Sequence, residues 1–164
     1  PAMDHHKLSE LVAELAHAPA TVEQLLSFKP GDFIELDLQP GIEVAGVESE
    51  LASAMSNLLG NAVRYTPAGG HIHVSVDRGM DGSLCIEVRD TGPGIAPEHL
   101  PRLTERFYRV DRSRSRESGG TGLGLAIVKH VMQRHGGSLS ISSELGQGSC
   151  FRLTFPATRW SLDN

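Results

Sequence analysis

The chain has 164 residues, of which 39% are hydrophobic and 21% are charged, and its formal net charge at pH 7 is −5. This length is enough to bury one hydrophobic core, so we expect a single domain. No apolar run approaches the roughly 18 residues of a membrane helix and no signal peptide opens the chain, so we expect a soluble domain. The first residues, Pro1-Ala2-Met3, resemble a cloning remnant, so we expect this domain to be excised from a longer protein.

Helical periodicity of the apolar residues predicts three helices. The first spans residues 4–18, the second residues 48–65 and the third residues 123–135. A proline follows the first, Thr-Pro follows the second and two glycines follow the third, and each of these signals is typical of a helix end.

Strand-like runs alternate with these helices. They span residues 33–38, 41–46, 71–78, 84–90, 138–143 and 149–155. Asp-Gly at positions 81 and 82 predicts a hairpin between the third and fourth runs, and the last two runs form a second hairpin. Cys85 and Cys150 lie in these runs without C-x-x-C spacing, which favours buried reduced thiols. The pattern predicts a two-layer α/β sandwich whose mixed, mostly antiparallel sheet carries three helices on one face.

Three segments rich in glycine and polar residues lie, in chain order, within the second predicted helix, in a glycine-kinked turn after the fourth strand-like run, and at the start of the third predicted helix. They are residues 57–61 (NLLGN), 90–95 (DTGPGI) and 119–125 (GGTGLGL). Asn57 and Asn61 are one helical turn apart, so both amide oxygens can reach a hard cation. Asp90 can accept a hydrogen bond from an exocyclic amine, and glycine-rich backbone can approach phosphates closely. Together the segments predict a site for ATP with Mg²⁺.

Other interpretations of these segments remain open at this point. The chain lacks both the G-x-G-x-x-G and the G-x-x-x-x-G-K-[ST] patterns, so Rossmann and P-loop folds are disfavoured. In the alternative interpretation, no ligand binds here: Asp90 caps a turn, and Asn57 and Asn61 are ordinary polar residues of a helix. The order of the three segments favours the nucleotide interpretation.

Six arginines lie between residues 102 and 116. A nucleic-acid surface is disfavoured, because aromatic residues are few in this stretch and the rest of the chain is acidic. The remaining interpretations are a solvated, arginine-rich loop and a lid that closes over a triphosphate.

Four motifs resemble those of the catalytic, ATP-binding domain of bacterial sensor histidine kinases, within the larger group that includes gyrase, heat-shock protein 90 and MutL. Residues 56–67 (SNLLGNAVRYTP) resemble the N box, 90–95 the G1 box, 105–109 (ERFYR) the F box and 119–128 (GGTGLGLAIV) the G2 box. The resemblance covers residues 31–156, implies the Bergerat fold and is strongest to phosphate-regulon sensor kinases. Residues 1–30 are then an N-terminal helix or linker remnant, and residues 157–164 a C-terminal tail.

The resemblance implies a role for each matched residue. Asn61 would bind Mg²⁺, with Asn57 beside the phosphates, and Asp90 would accept a hydrogen bond from the adenine amine. Arg109 and Asn57 would act on the transferred phosphoryl group. The nucleotide would also be lined by Arg64, Tyr65, Gly92, Gly94, Ile95, Phe107, Tyr108, Gly120, Thr121, Gly122, Leu123 and Gly124.

Two absences refine the implied activity. Asn57 occupies the position at which gyrase-like and chaperone-like members carry a glutamate base, so water activation is expected to be weak. None of the eight histidines is followed by Asp or Glu, so the phosphoacceptor motif of the family is absent. We therefore expect phosphoryl transfer from Mg-ATP to a histidine on a separate dimerisation domain.

The resemblance also implies partners and a location. The expected partners are the dimerisation domain of the same kinase and a downstream response regulator, and no nucleic acid is expected. The fragment is expected to be monomeric and to be the cytoplasmic domain of an inner-membrane sensor. The alternatives are a non-catalytic nucleotide-sensing module and an anti-sigma-type serine kinase.

Overall fold

The structure is a computed structural model that describes residues 4–7, 33–37, 42–65, 70–105 and 124–162, with side chains from 42–62, 70–105 and 124–162. Within these ranges there are two α-helices, α1 (Glu48–Tyr65) and α2 (Gly124–Arg134). The eight strands of the described ranges are β1 (Asp4–Lys7), β2 (Phe33–Asp37), β3 (Ile42–Gly46), β4 (His71–Arg78), β5 (Leu84–Asp90), β6 (Ser138–Glu144), β7 (Gly148–Phe155) and β8 (Trp160–Leu162). No helix in the described part of the chain is both long and apolar enough to span a membrane.

The main sheet has five strands in the order β2-β4-β5-β7-β6. β2 pairs with β4 in parallel, and the three other pairings are antiparallel. Asp90, the last residue of β5, is paired with Ile72 on one side and with Ser149 on the other. The register therefore places Asp90 in the interior of the sheet, beside the start of β7.

The core lies between this sheet and the two helices. Alternate residues of β5, Leu84, Ile86 and Val88, are fully buried, and Asp90 continues the same alternation. The helices contribute a buried stripe at helical spacing: Leu51, Ala54, Met55, Leu58, Leu59 and Ala62 of α1, and Leu125, Val128, Val131 and Met132 of α2. Because a strand alternates strictly between its faces, the position of Asp90 directs its carboxylate into the layer between helices and sheet.

Two contacts join the C-terminal end of α2 to the N-terminal end of α1. His135 is 1% exposed, its Nδ1 lies 2.8 Å from the carbonyl oxygen of Val131, and the backbone amide of Val47 donates to its Nε2 at 3.1 Å. These bonds define a neutral imidazole with the proton on Nδ1. Arg134 Nε donates to Glu50 Oε1 at 2.6 Å beside it. The helices are thus held at a set position relative to each other.

The opposite face of the main sheet carries a buried carboxylate between two arginines. Glu87 accepts hydrogen bonds from Arg152 and from Arg89 Nε, the latter at 3.1 Å. Burial raises the pKa of Glu87, but the hydrogen bonds and charges of the two arginines outweigh burial and hold its pKa below the usual value. Near this cluster, Cys150 is buried and Cys85 is half-buried, and both are free thiols.

Most of the predicted elements are confirmed, and two expectations are wrong. Residues 4–7 form a strand instead of the start of a helix, and the remainder of that predicted helix lies outside the described residues. The strands form two sheets instead of one, because β3 belongs to a small sheet of order β1-β3-β8. Only two of the three predicted helices fall within the described ranges.

The small sheet has a simple physical cause. β3 lies outside the main sheet, so its backbone donors and acceptors need partners, and β1 and β8 supply them on its two edges. Trp160 of β8 also donates from its indole Nε1 to the carbonyl oxygen of Gly82 at 2.8 Å, and Arg78 lies over its ring. The segment expected to be a C-terminal tail therefore contributes a strand, while the domain boundaries stay predictions.

Candidate functional site

Asp90 is a buried carboxylate with one occupied oxygen. The residue is 7% exposed, and its Oδ1 accepts from the backbone amides of Gly92 at 2.9 Å and Ser149 at 3.3 Å. Among the described residues, no hydrogen bond reaches Oδ2. Burial raises the pKa of Asp90, and the two backbone hydrogen bonds only partly oppose this effect. A buried acceptor atom is therefore available to a ligand.

The turn that follows Asp90 is held from two sides. On the first side, the amide of His71 donates to Thr91 Oγ1 at 2.9 Å, and the amide of Thr91 donates to the His71 carbonyl oxygen at 3.1 Å. On the second side, Gly146 donates to the Pro93 carbonyl oxygen at 2.9 Å. Gly94 has a φ of +80°, a conformation that glycine adopts without strain. The predicted glycine-kinked turn is thus present.

The two asparagines of α1 differ in their surroundings. Asn57 donates from Nδ2 to the Ser53 carbonyl oxygen at 2.8 Å, which leaves its Oδ1 as the atom that it can offer to a ligand. Asn61 is 9% exposed, and no hydrogen bond joins its side chain to any described residue. A buried amide without a described partner carries a desolvation cost that a ligand can offset. The amide oxygen of Asn61 fits an oxygen-seeking cation such as Mg²⁺.

The N-terminus of α2 lies against Asn57. A Cβ added at Gly124, the first residue of α2, would be 3.2 Å from Asn57 Oδ1, so glycine allows this close approach. α1 also contacts β5, the strand that ends at Asp90. The fold therefore brings the start of α2 against Asn57 and packs α1 against the strand that leads into the 90–95 turn.

Several predicted site residues lie outside what the structure describes. Phe107, Tyr108 and Arg109 of the F box and Gly120, Thr121, Gly122 and Leu123 of the second glycine-rich segment are among them. The backbone of Arg64 and Tyr65 belongs to α1, and their side chains are outside the described set. The roles assigned to these residues stay predictions.

Residues of the β6–β7 hairpin also belong to the site, and sequence reasoning did not find them. Ser143 accepts from the Ile95 amide at 2.7 Å, and Ser149 donates from its amide to Asp90. Gly148, with a φ of +125°, lies against the carbonyl of Asp90, where a Cβ would clash. The glycines at positions 146 and 148, which lie between the two runs of the second predicted hairpin, are the sequence signal for this close approach.

Residues 46–159 match the family described as histidine kinase-, DNA gyrase B-, and HSP90-like ATPase. The chain is 53% identical over 132 residues to the phosphate regulon sensor protein PhoR of Pseudomonas aeruginosa, which covers 80% of this chain and 30% of that protein. It is 43% identical over 152 residues to the sensor histidine kinase RppB of Synechocystis sp., covering 91% of this chain and 32% of RppB. The chain thus spans about a third of the length of these curated relatives.

Solved structures of similar fold come from the same group of proteins. The mycobacterial sensor histidine kinase MprB matches with a TM-score of 0.78 and 28% identity, over 94% of this chain and 97% of that chain. Full-length ShkA in complex with AMPPNP matches with a TM-score of 0.76 and 29% identity, over 94% of this chain and 31% of that chain. The chain therefore belongs to the histidine kinase-, DNA gyrase B- and HSP90-like ATPase family, and its relatives within that family are sensor histidine kinases.

Proposed function

We propose that this domain binds Mg-ATP and transfers its γ-phosphoryl group to a histidine on a separate dimerisation domain. The observation that carries the proposal is a pair of buried polar groups with no partner among the described residues, Asp90 Oδ2 and the side chain of Asn61. Buried polar groups in native proteins are nearly always satisfied, so both are suited to meet a ligand. Their chemistry, a carboxylate acceptor and an amide oxygen, matches an adenine amine and a magnesium ion.

At the adenine end, Asp90 is oriented by the two backbone amides that donate to Oδ1. Its Oδ2 would accept a hydrogen bond from the 6-amino group of adenine. The carboxylate is a pure acceptor when ionised, so it distinguishes an amine from a carbonyl at this position of the purine. Gly92, Gly94 and Ile95 form the backbone wall along which the ring would lie.

At the phosphate end, Asn61 would hold Mg²⁺ and Asn57 would lie beside the phosphates. The tie of Asn57 to Ser53 directs its remaining amide atom, Oδ1, toward the start of α2. Bound Mg²⁺ would neutralise charge on the triphosphate. Arg64 and Tyr65 follow on the same helix, and the glycine-rich segment that includes Gly120, Thr121, Gly122, Leu123 and Gly124 leads into α2, whose N-terminal amides favour phosphate.

Transfer rather than hydrolysis follows from the residue types present. Asn57 stands where a water-activating carboxylate would be needed, and an amide cannot accept a proton from water at neutral pH. Arg109, with Phe107 and Tyr108 beside it, would act on charge that develops on the γ-phosphoryl group. Catalysis would consist of positioning the phosphoryl group in front of a nucleophile that another domain supplies.

The wider setting of the proposal rests on the relatives. Their names describe sensor histidine kinases, and this chain covers only about a third of their length. We assign the domain to the cytoplasmic part of an inner-membrane sensor protein, upstream of a response regulator. The phosphoacceptor histidine would come from the dimerisation domain of the same protein.

Phosphotransfer in trans tests the proposal. The domain is incubated with radiolabelled ATP and Mg²⁺, alone and with a purified dimerisation domain from the same sensor protein. We expect no label on the domain alone, slow hydrolysis, and label on the acceptor histidine when the partner is added. Arg109→Ala should reduce the transfer rate more than it reduces ATP affinity, because an arginine that acts on developing charge matters most in the transition state.

Arg159→Ala is the matched control. Arg159 lies shortly after Phe155, the residue of β7 that is paired with Leu84. Leu84 and Asp90 are at opposite ends of β5, so replacement of Arg159 should leave transfer unchanged. Rapid ATP hydrolysis by the domain alone, or acid-stable label on serine, would contradict the proposal and favour a gyrase-like or serine-kinase activity.

A further inference from the structure

The hydroxyl group of Ser143 joins two loops that are distant in sequence. Ser143 Oγ accepts from the Ile95 amide at 2.7 Å, donates to the Gly148 carbonyl oxygen at 2.9 Å, and lies 2.9 Å from Ser149 Oγ. One side chain on β6 thereby contacts both the turn that follows Asp90 and the first residues of β7.

The hydrogen-bonding capacity of this hydroxyl is fully used. A serine hydroxyl has one proton to donate and two lone pairs to accept with. Donation to Gly148 requires that Ser149 Oγ be the donor in the contact between the two serines, so Ser143 accepts from Ile95 and Ser149. No other assignment satisfies all three contacts. The network therefore has a single arrangement, which restricts the position of each loop.

Backbone contacts also link the position of the β6–β7 turn to the position of Asp90. The amide of Ser149 donates to Asp90 Oδ1 at 3.3 Å. A Cβ at Gly94 would clash with the carbonyl of Glu144, and a Cβ at Gly148 would clash with the carbonyl of Asp90. The two loops thus also approach each other through backbone atoms, at Glu144 and at Gly148. A shift of the β6–β7 turn would move the donor that orients the carboxylate.

We infer that Ser143 is a positioning residue for nucleobase selectivity. It ties the 90–95 turn to the β6–β7 hairpin and so holds Asp90 Oδ2 in the place where it meets the purine. The inference rests on the proposed function, in which Asp90 accepts a hydrogen bond from the adenine amine. Pre-organisation of this kind strengthens the contact because the acceptor does not have to be ordered at the moment of binding.

A comparison of ADP with inosine 5′-diphosphate measures this role. The inosine nucleotide carries a carbonyl in place of the 6-amino group, so it keeps the phosphates and loses the partner of Asp90. Affinities are measured by calorimetry for the unmodified chain and for Ser143→Ala, Ser143→Thr and Ser140→Ala. Ser140 is the matched control, since it is a serine of the same strand that is exposed and lies on the other face.

We expect Ser143→Ala to weaken ADP binding by about 3- to 10-fold, which corresponds to the loss of one or two neutral hydrogen bonds. Binding of the inosine nucleotide should change much less, so the selectivity ratio falls by a similar factor. Ser143→Thr keeps the hydroxyl group and should restore the ratio. Ser140→Ala should leave both affinities unchanged.

The outcomes separate the inference from the function on which it rests. Equal affinity of the unmodified chain for the two nucleotides would overturn both. Selective binding that Ser143→Ala leaves unchanged, or an equal loss for both nucleotides, would overturn the inference alone. Amide exchange on the unmodified chain gives a test that needs no variant: the Ile95 amide should be protected before any nucleotide is added, and rapid exchange would contradict pre-organisation.

Discussion

Replacing Asp90 by asparagine keeps the shape of the side chain and changes one atom that faces the proposed adenine site. The amides of Gly92 and Ser149 both donate to Oδ1. An asparagine can satisfy these donors only with its carbonyl oxygen, so its NH₂ group must take the place of Oδ2. The site then presents a donor where it formerly presented an acceptor.

The expected loss in ADP affinity follows from this exchange. A hydrogen bond to a charged group contributes about 1.5 to 3 kcal/mol, and the adenine amine would now face another donor. We therefore expect a loss of about 2 kcal/mol or more, which is roughly 30-fold in Kd. The inosine nucleotide has an acceptor at the same position, so its affinity should fall less or rise, and the preference for adenine should shrink or reverse.

Whereas the ADP affinity of the Asp90→Asn variant should fall, its stability against unfolding should stay the same or rise. Burial raises the pKa of Asp90 above the ordinary value of 3.8. A raised folded-state pKa means that the ionised form is disfavoured in the folded protein, so stability is lost as the pH rises from the unfolded-state pKa through the folded-state pKa. Neutral asparagine avoids this loss. At pH 7, Asp90→Asn should unfold at the same temperature as the unmodified chain or at a higher one.

Calorimetry with the two nucleotides and thermal unfolding at pH 7 test these expectations together. The reasoning predicts weaker ADP binding, a reduced preference for adenine and an undiminished Tm. ADP affinity within about twofold of the unmodified chain would refute the role of Asp90. A lower Tm with equal losses for both nucleotides would instead identify Asp90 as a structural residue of the turn.

Four further predictions concern other residues and conditions. Asn61→Ala should abolish the gain in affinity that Mg²⁺ gives to ATP while metal-free ADP binds as before, and an unchanged response in titrations with and without EDTA would reject Asn61 as a metal ligand. The pKa of Asp90 is raised, so ADP affinity should begin to decline on acidification at a higher pH than it would if the acceptor were an aspartate with an ordinary pKa. A constant affinity down to about pH 4 would speak against ionised Asp90 as the acceptor. Glu87→Gln should cost about 1.5 to 3 kcal/mol at neutral pH and remove a loss of stability below about pH 4.5, since the lowered pKa of this carboxyl stabilises the fold above its unfolded-state value; urea unfolding at several pH values measures both effects. His135→Leu should cost about 1 to 3 kcal/mol, because it leaves the backbone amide of Val47 without its acceptor, whereas His130→Leu on the exposed face of α2 should be nearly neutral in thermal unfolding.

Local sequence patterns were sufficient to predict the helix, the hairpin and the turn that hold the candidate site residues. The apolar spacing and the helix-end signals predicted α1 at residues 48–65, as observed, and the Asp-Gly turn predicted the β4–β5 hairpin. Glycines at 92 and 94 predicted the turn after Asp90, and Gly94 has the positive φ that such a turn requires. These features depend on residues within a few positions of one another, so the sequence alone carries the information.

The packing of distant segments was decided by the tertiary structure. Residues 4–7 pair with one edge of β3, and the strand that begins at Trp160 pairs with the other edge. The contact between Ile95 and Ser143 spans 48 residues, and that between Val47 and His135 spans 88. Spacing along the chain determined which residues could bind a nucleotide. Which serine holds the Asp90 turn, and which histidine joins the helices, depends on how the elements stack, because hydrogen bonds between distant residues form only after the hydrophobic layers have brought them together.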